Sequence, residues 1–93
     1  MEFEWDSEKA EANLKKHGVA FDEAATVFDD LFNIDLYDSA HAESEHRFII
    51  VGQSTQNRLL IVSYTERADK IRIISARELT ARERGDYEQG KFE

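Results

Sequence analysis

The chain has no cysteine and no proline, only four glycines and a single methionine in 93 residues. Without cysteine there is no disulfide framework and no thiolate metal site. Without proline every backbone N–H after the first residue can donate, which suits short regular elements. No stretch approaches the ~18 apolar residues that a membrane-crossing helix needs, so no membrane partner is expected. The first residues are acidic and no apolar run follows, unlike a signal peptide, so the cytoplasm is the default compartment. Gly-rich phosphate loops and Ser-His-Asp sets are missing. Positive charge is also scarce: 12 Lys/Arg stand against 20 Asp/Glu, a net charge of −8. That balance argues against a protein that binds nucleic acid through a broadly basic surface.

What is present is enough for one core. Hydrophobic residues make up 41%, with six Phe, three Tyr and one Trp. This is too apolar for a disordered tail, and the length suits a single domain over 1–93. Charge is unevenly placed. Residues 1–46 hold 13 Asp/Glu against three Lys, a net of −10, and residues 47–93 hold seven against nine Lys/Arg, a net of +2. Seven of those nine are Arg, the side chain whose planar fork matches phosphate or carboxylate.

Apolar spacing predicts β-α-α-β-β-β-β-α. Phe3-Glu4-Trp5 alternates as a short strand does. Asp6 or Ser7 caps a first helix, whose stripe is Ala10, Asn13, Leu14 and His17. Lys15 and Lys16 sit in its last turn and Gly18 just past its end. Phe21, Ala24, Ala25 and Phe28 form the core face of a second helix over about 21–28. Strands are expected at 31–37, 46–53, 59–66 and 71–78, with a polar loop over 38–45. The apolar run Phe48-Ile49-Ile50-Val51 reads as a strand buried on both faces. Thr80 and Glu83 form a capping box that opens a third helix to about Tyr87. The fold class is α+β: an antiparallel meander of about four strands plus the short N-terminal one, covered by two N-terminal helices, with a C-terminal helix.

The residues that could carry chemistry cluster over 66–77. Strict alternation along 71–78 places Arg72 and Arg77 on opposite faces, so they cannot share a site unless a bulge intervenes. The competing reading for each is an ion pair on a solvated face. Glu66 and Arg67 open a tight turn, a good position for function and an ordinary one for soluble charge. Arg47 precedes the buried strand, either as a snorkelling edge or as a phosphate clamp. His41 and His46, near Asp38, Glu43 and Glu45, fit no standard metal-ligand spacing. His17 reads as a capping or packing residue, and Trp5 as core. On the residues alone the function stays open.

The same segments carry a resemblance that spans nearly the whole chain. They are Phe3-Glu4-Trp5-Asp6, Asn13-Leu14-Lys15-Lys16-His17-Gly18-Val19, Phe21-Asp22-Glu23-Ala24, Arg47-Phe48 with Ile50-Val51-Gly52, Tyr64-Thr65-Glu66-Arg67, Ile71-Arg72-Ile73-Ile74-Ser75-Ala76-Arg77, Arg82-Glu83-Arg84 and Tyr87-Glu88. In this order and spacing the chain resembles the BrnT family of toxins from bacterial type II toxin–antitoxin systems. The resemblance implies a RelE-like fold and an endoribonuclease that uses no metal or other cofactor. It also implies a BrnA-like ribbon-helix-helix antitoxin, two toxins with two antitoxins, with DNA contacted only through that partner. By motif position it points to Arg67 and Arg77 as phosphate-stabilising groups and to Glu66 and His17 as acid–base groups. Arg47, Arg72 and Lys16 would contact the RNA. The alternatives are a non-catalytic binding module and a co-repressor that acts only in complex.

Overall fold

A computed structural model describes residues 1–41 and 45–92. Strand β1 (Glu2–Glu4) leads into α1 (Ser7–His17) and α2 (Phe21–Thr26), which a 3₁₀ turn (Val27–Asp29) extends. Then come β2 (Ile34–Tyr37), a second 3₁₀ turn (Ser39–His41), β3 (Arg47–Gln53), β4 (Leu59–Arg67), β5 (Lys70–Glu78) and α3 (Ala81–Glu88). The sheet order is β1-β5-β4-β3-β2. Strands β2 to β5 form the expected antiparallel meander, and β1 joins parallel to β5 at the far edge.

Local chemistry explains the helix boundaries. Asp6 caps α1 by accepting from the Glu8 N–H at 2.9 Å. Gly18 closes it at φ 69° and returns its N–H to the Leu14 carbonyl, a left-handed position that glycine takes without steric cost. The expected capping box of α3 is present, with both Thr80–Glu83 bonds made.

Phe21, Ala24 and Val27 pack on Ile50, Leu60, Val62, Tyr64, Ile73 and Ala76 from one face of the sheet. An aromatic line crosses this face, Phe3–Phe28–Tyr64–Phe48–Tyr37, with successive centroids 5.1, 5.0, 5.4 and 5.6 Å apart. Tyr64 donates to both Asp35 carboxylate oxygens at 2.8 Å. Its burial, reinforced by Asp35, pushes the phenol well above its ordinary range.

Four expectations need correction. Leu14 is 51% exposed, and the inward residue of that stripe is Asn13, at 7%. Its amide donates to the Val19 and Ala76 carbonyls and accepts from the Ala76 N–H. Because β1 pairs with β5 only through Arg72, this side chain takes the place of the missing neighbour at Ala76 on the β5 edge. The strand expected over 31–37 begins only at Ile34. Asp30 holds the preceding residues in a turn through the Phe32 and Asn33 N–H groups, which leaves Leu31 and Phe32 94% and 81% exposed. The run 48–51 is fully buried only at Ile50 and Val51, while Phe48 and Ile49 are half-buried.

The fourth correction concerns the arginines. The β4–β5 register steps from Ser63↔Ser75 to Tyr64↔Ile73 and leaves Ile74 unopposed. This bulge reverses the alternation along β5. Ile71, Ile73 and Ala76 all turn towards the helices, and Arg72, Ser75 and Arg77 share the opposite face.

Candidate active site

The sheet face turned away from the core carries three cross-strand rows on β3, β4 and β5. They are Arg47–Thr65–Arg72, Ile49–Ser63–Ser75 and Val51–Ile61–Arg77. A cavity of about 360 Å³ opens over them, with Ile49, Ile61, Ser63 and Ser75 in its lining. Arg47 from β3, Arg77 from β5 and His17 from the last turn of α1 reach it from three separate elements. His17 arrives because α1 is tied along the free β5 edge by Asn13. Asp38 and His41, from the segment after β2, complete the lining at the β3 side.

Arg77 is held firmly. Its guanidinium makes a bidentate pair with Glu83, Nη1 to Oε1 at 2.7 Å and Nη2 to Oε2 at 3.0 Å. Nη1 also donates to the Glu78 carbonyl. The Thr80 N–H donates to the same Glu83 carboxylate at 2.9 Å. The hydrogen bonds from Arg77 bring the Glu83 pKa down to about 2 against the opposing effect of burial, and the pair raises Arg77 in turn. Arg47 makes no ion pair among the described residues.

The other residues singled out in the sequence lie elsewhere. Lys16 lines a neighbouring groove of about 220 Å³ that it shares with Lys9, His17 and Ser75. Arg72 pairs with Glu4 at 3.2 Å, and Arg67 pairs with Glu45 at 3.2 Å at the end of β4. Both stand on the cavity's face of the sheet but outside its lining. Glu66, opposite Ile71, is exposed and belongs to the other face. Trp5 packs edge-on against Phe21 with centroids 5.9 Å apart, as a core residue does. Sequence reasoning did not place Asp38, His41, Ser63, Ser75 or Glu83 in this site. The only linear signal for the first two was the Asp38-x-x-His41 spacing. The metal site considered around His41 and His46 includes Glu43, which lies outside the described residues. Among the described residues no group of three or more His, Asp or Glu side chains converges as metal ligands would.

The family model of the ribonuclease toxin BrnT, of type II toxin–antitoxin systems, matches residues 5–83. The chain belongs to the BrnT family. The match covers every residue of the cavity, from His17 to Arg77, and the Glu83 that holds Arg77. An antitoxin partner follows from membership of a type II system. A crystal structure of the Brucella abortus ribonuclease toxin BrnT superposes with a TM-score of 0.69, covering 86% of this chain and 97% of that one at 20% identity. At that identity the superposition speaks for the shared BrnT fold. No curated protein matches the sequence. No helix among the described residues is long and apolar enough to cross a membrane.

Proposed function

We propose that this BrnT-family chain is a metal-independent endoribonuclease that cleaves RNA by attack of a 2′-hydroxyl on its own 3′ phosphodiester. The observation that carries this reading is the convergence of Arg47, Arg77 and His17 on one cavity. The reaction needs charge stabilisation at phosphorus and a proton donor and acceptor nearby. Two guanidiniums supply the first by forked hydrogen bonds to the non-bridging oxygens, and the imidazole supplies one of the second. Arg67 and Arg72, on the same face, extend the basic track to flanking phosphates, and Lys16 does so along the groove beside α1. Glu66 points from the other face and takes no part in the chemistry.

The partner that neutralises the chain is a BrnA-like ribbon-helix-helix antitoxin, in a complex of two toxins and two antitoxins within the cytoplasm. DNA is then bound by the antitoxin alone, which fits a toxin of net charge −8. The acidic first half would face a basic antitoxin segment; a complex indifferent to salt and to charge reversals over 22–45 would remove that idea. The test of the activity is incubation of purified, antitoxin-free chain with RNA in EDTA. Arg47→Ala and Arg77→Ala are each expected to slow cleavage by ~10²–10³-fold, and Arg67→Ala by far less. Full activity in both cavity variants refutes the site. The Arg77–Glu83 pair, which already neutralises one cavity arginine, favours a second reading: a binding module without catalysis. That reading predicts no cleavage of any RNA at high protein excess.

A further inference from the structure

His41 and Asp38 have no part in the function described so far, yet their geometry is that of an oriented acid–base group. Asp38 follows the last residue of β2 and is fixed by its own N–H, which donates to the Arg47 carbonyl at 2.8 Å. Its side chain is only 13% exposed. The next residues form the 3₁₀ turn Ser39–His41, which swings the imidazole back over the carboxylate. His41 Nδ1 lies 3.0 Å from Asp38 Oδ2. A carboxylate accepts, so Nδ1 carries the hydrogen and the neutral ring keeps its lone pair on Nε2. The imidazole is 68% exposed and lines the cavity that holds Arg47 and Arg77.

The cavity therefore has an imidazole on each flank. His41 stands at the β3 side through Asp38, and His17 stands at the β5 side through α1. The Ile49–Ser63–Ser75 row crosses the floor between them. In-line cleavage needs this division. The attacking 2′-oxygen and the departing 5′-oxygen lie on opposite sides of phosphorus, so one group cannot serve both.

We propose that His41 is the general base of the cleavage reaction, with Asp38 as its positioning residue and His17 as the opposing acid. Nε2 of His41 takes the 2′-OH proton as the 2′-oxygen–phosphorus bond forms. Asp38 holds the tautomer and stabilises the imidazolium that results. Protonated His17 gives its proton to the 5′-oxygen as the phosphorus–5′-oxygen bond breaks. The products are a 2′,3′-cyclic phosphate and a 5′-hydroxyl; solvent then returns both imidazoles to their starting states. This assignment rests on the ribonuclease reading above.

The test compares wild type, His41→Ala, Asp38→Asn and His17→Ala on one RNA, made with either a normal or a 5′-bridging sulfur linkage. Sulfur leaves without protonation, so it rescues loss of the acid and not loss of the base. His41→Ala is expected to lower kcat by ~10²–10⁴-fold on both substrates and to recover in part with added imidazole. Asp38→Asn should lower kcat less, with KM unchanged. His17→Ala should fail on the oxygen substrate and recover on the sulfur one. A His41→Ala enzyme within about threefold of wild type overturns the proposal, as does rescue of that variant by sulfur. Imidazole NMR signals of the wild type, recorded with a 3′-nucleotide, separate the two readings. If RNA is never cut but both imidazoles shift, the cavity binds phosphate and only the catalytic assignments fall. If neither shifts, both readings fall.

Discussion

Removing the Arg58 guanidinium should cost this fold a large share of its stability. Arg58 lies at the start of the β3–β4 hairpin's return strand and ties three elements together. Its Nε donates to Glu23 Oε2 at 3.0 Å and its Nη2 bonds Glu23 Oε1. Nη2 also reaches the Gly18 carbonyl at 3.1 Å, and Nη1 reaches Glu78 at 3.3 Å. Glu23 has 2% of its side chain exposed and accepts a further bond from Ser54 Oγ at 2.6 Å. Arg58→Met keeps the apolar stem and strands a buried carboxylate. Breaking a buried pair from one side costs about 3–5 kcal/mol, and the 29% exposure of Arg58 places the loss near the lower end. At ~0.05–0.15 kcal/mol per residue the whole domain is stable by about 5–14 kcal/mol. A loss of ~3 kcal/mol would then lower Tm by roughly 12–24 °C. The pH dependence identifies the cause. In the wild type the Arg58 hydrogen bonds hold Glu23 below its ordinary 4.5. That stabilisation is present above pH ~4.5 and fades as pH falls through the lowered value. In Arg58→Met only burial and Ser54 remain, so desolvation raises Glu23 and its penalty is relieved on acidification. The Tm gap between the two proteins, measured by thermal unfolding, should therefore narrow from pH 7 to pH 4. The double variant Glu23→Gln/Arg58→Met should recover much of the loss. A gap that is constant with pH, or a loss under ~1 kcal/mol, would show that Glu23 is not the stranded group.

Three further outcomes are open to direct measurement. Glu83→Gln should lower stability by about 1 kcal/mol near neutral pH, a figure reduced for screening because Arg77 is 39% exposed. Since burial-opposed hydrogen bonds from Arg77 bring Glu83 down to about 2 from 4.5, the difference from wild type should shrink as pH falls from 4.5 towards 2 in chemical denaturation; a difference undiminished at pH 2 contradicts the assignment. Gly52→Ala would set a Cβ 2.9 Å from Asp30 Oδ2 and 3.1 Å from Val27 Cγ1. Asp30 is held there by the Gln53 N–H and cannot simply retreat, so a loss of about 1–3 kcal/mol is expected in urea unfolding. Ala68 sits at φ 53° in the β4–β5 turn, where asparagine is more at ease, so Ala68→Asn should raise stability by up to ~1 kcal/mol.

Elements with strong local signals were legible from the chain. The caps at Asp6, Gly18 and Thr80 and the apolar face of α2 depend on neighbours within a turn, so their spacing carries them. The short turns between successive strands also announced a meander. Signals failed where a distant partner decided the outcome. Leu14 looked like core, but the exposed β5 edge selected Asn13 for the inward position. The residues 31–33 looked like strand, but Asp30 folded them into a turn.

The same division applies to the site. Sequence alone determined the family resemblance, the separation of an acidic first half from an arginine-bearing second half, and the residue types able to meet a phosphate. It could not say which of those side chains meet, because a strand's alternation is local and a bulge is a property of two strands together. The unopposed Ile74 is what put Arg72 and Arg77 on one face, against strict alternation. Only the packed sheet decided that Arg77 shares a cavity with Arg47, His17 and His41, while Arg67 and Glu66, its neighbours by motif, stand outside it. The contacts that settle this span up to 63 residues of chain, as between Asn13 and Ala76, and so become visible only once the fold has closed.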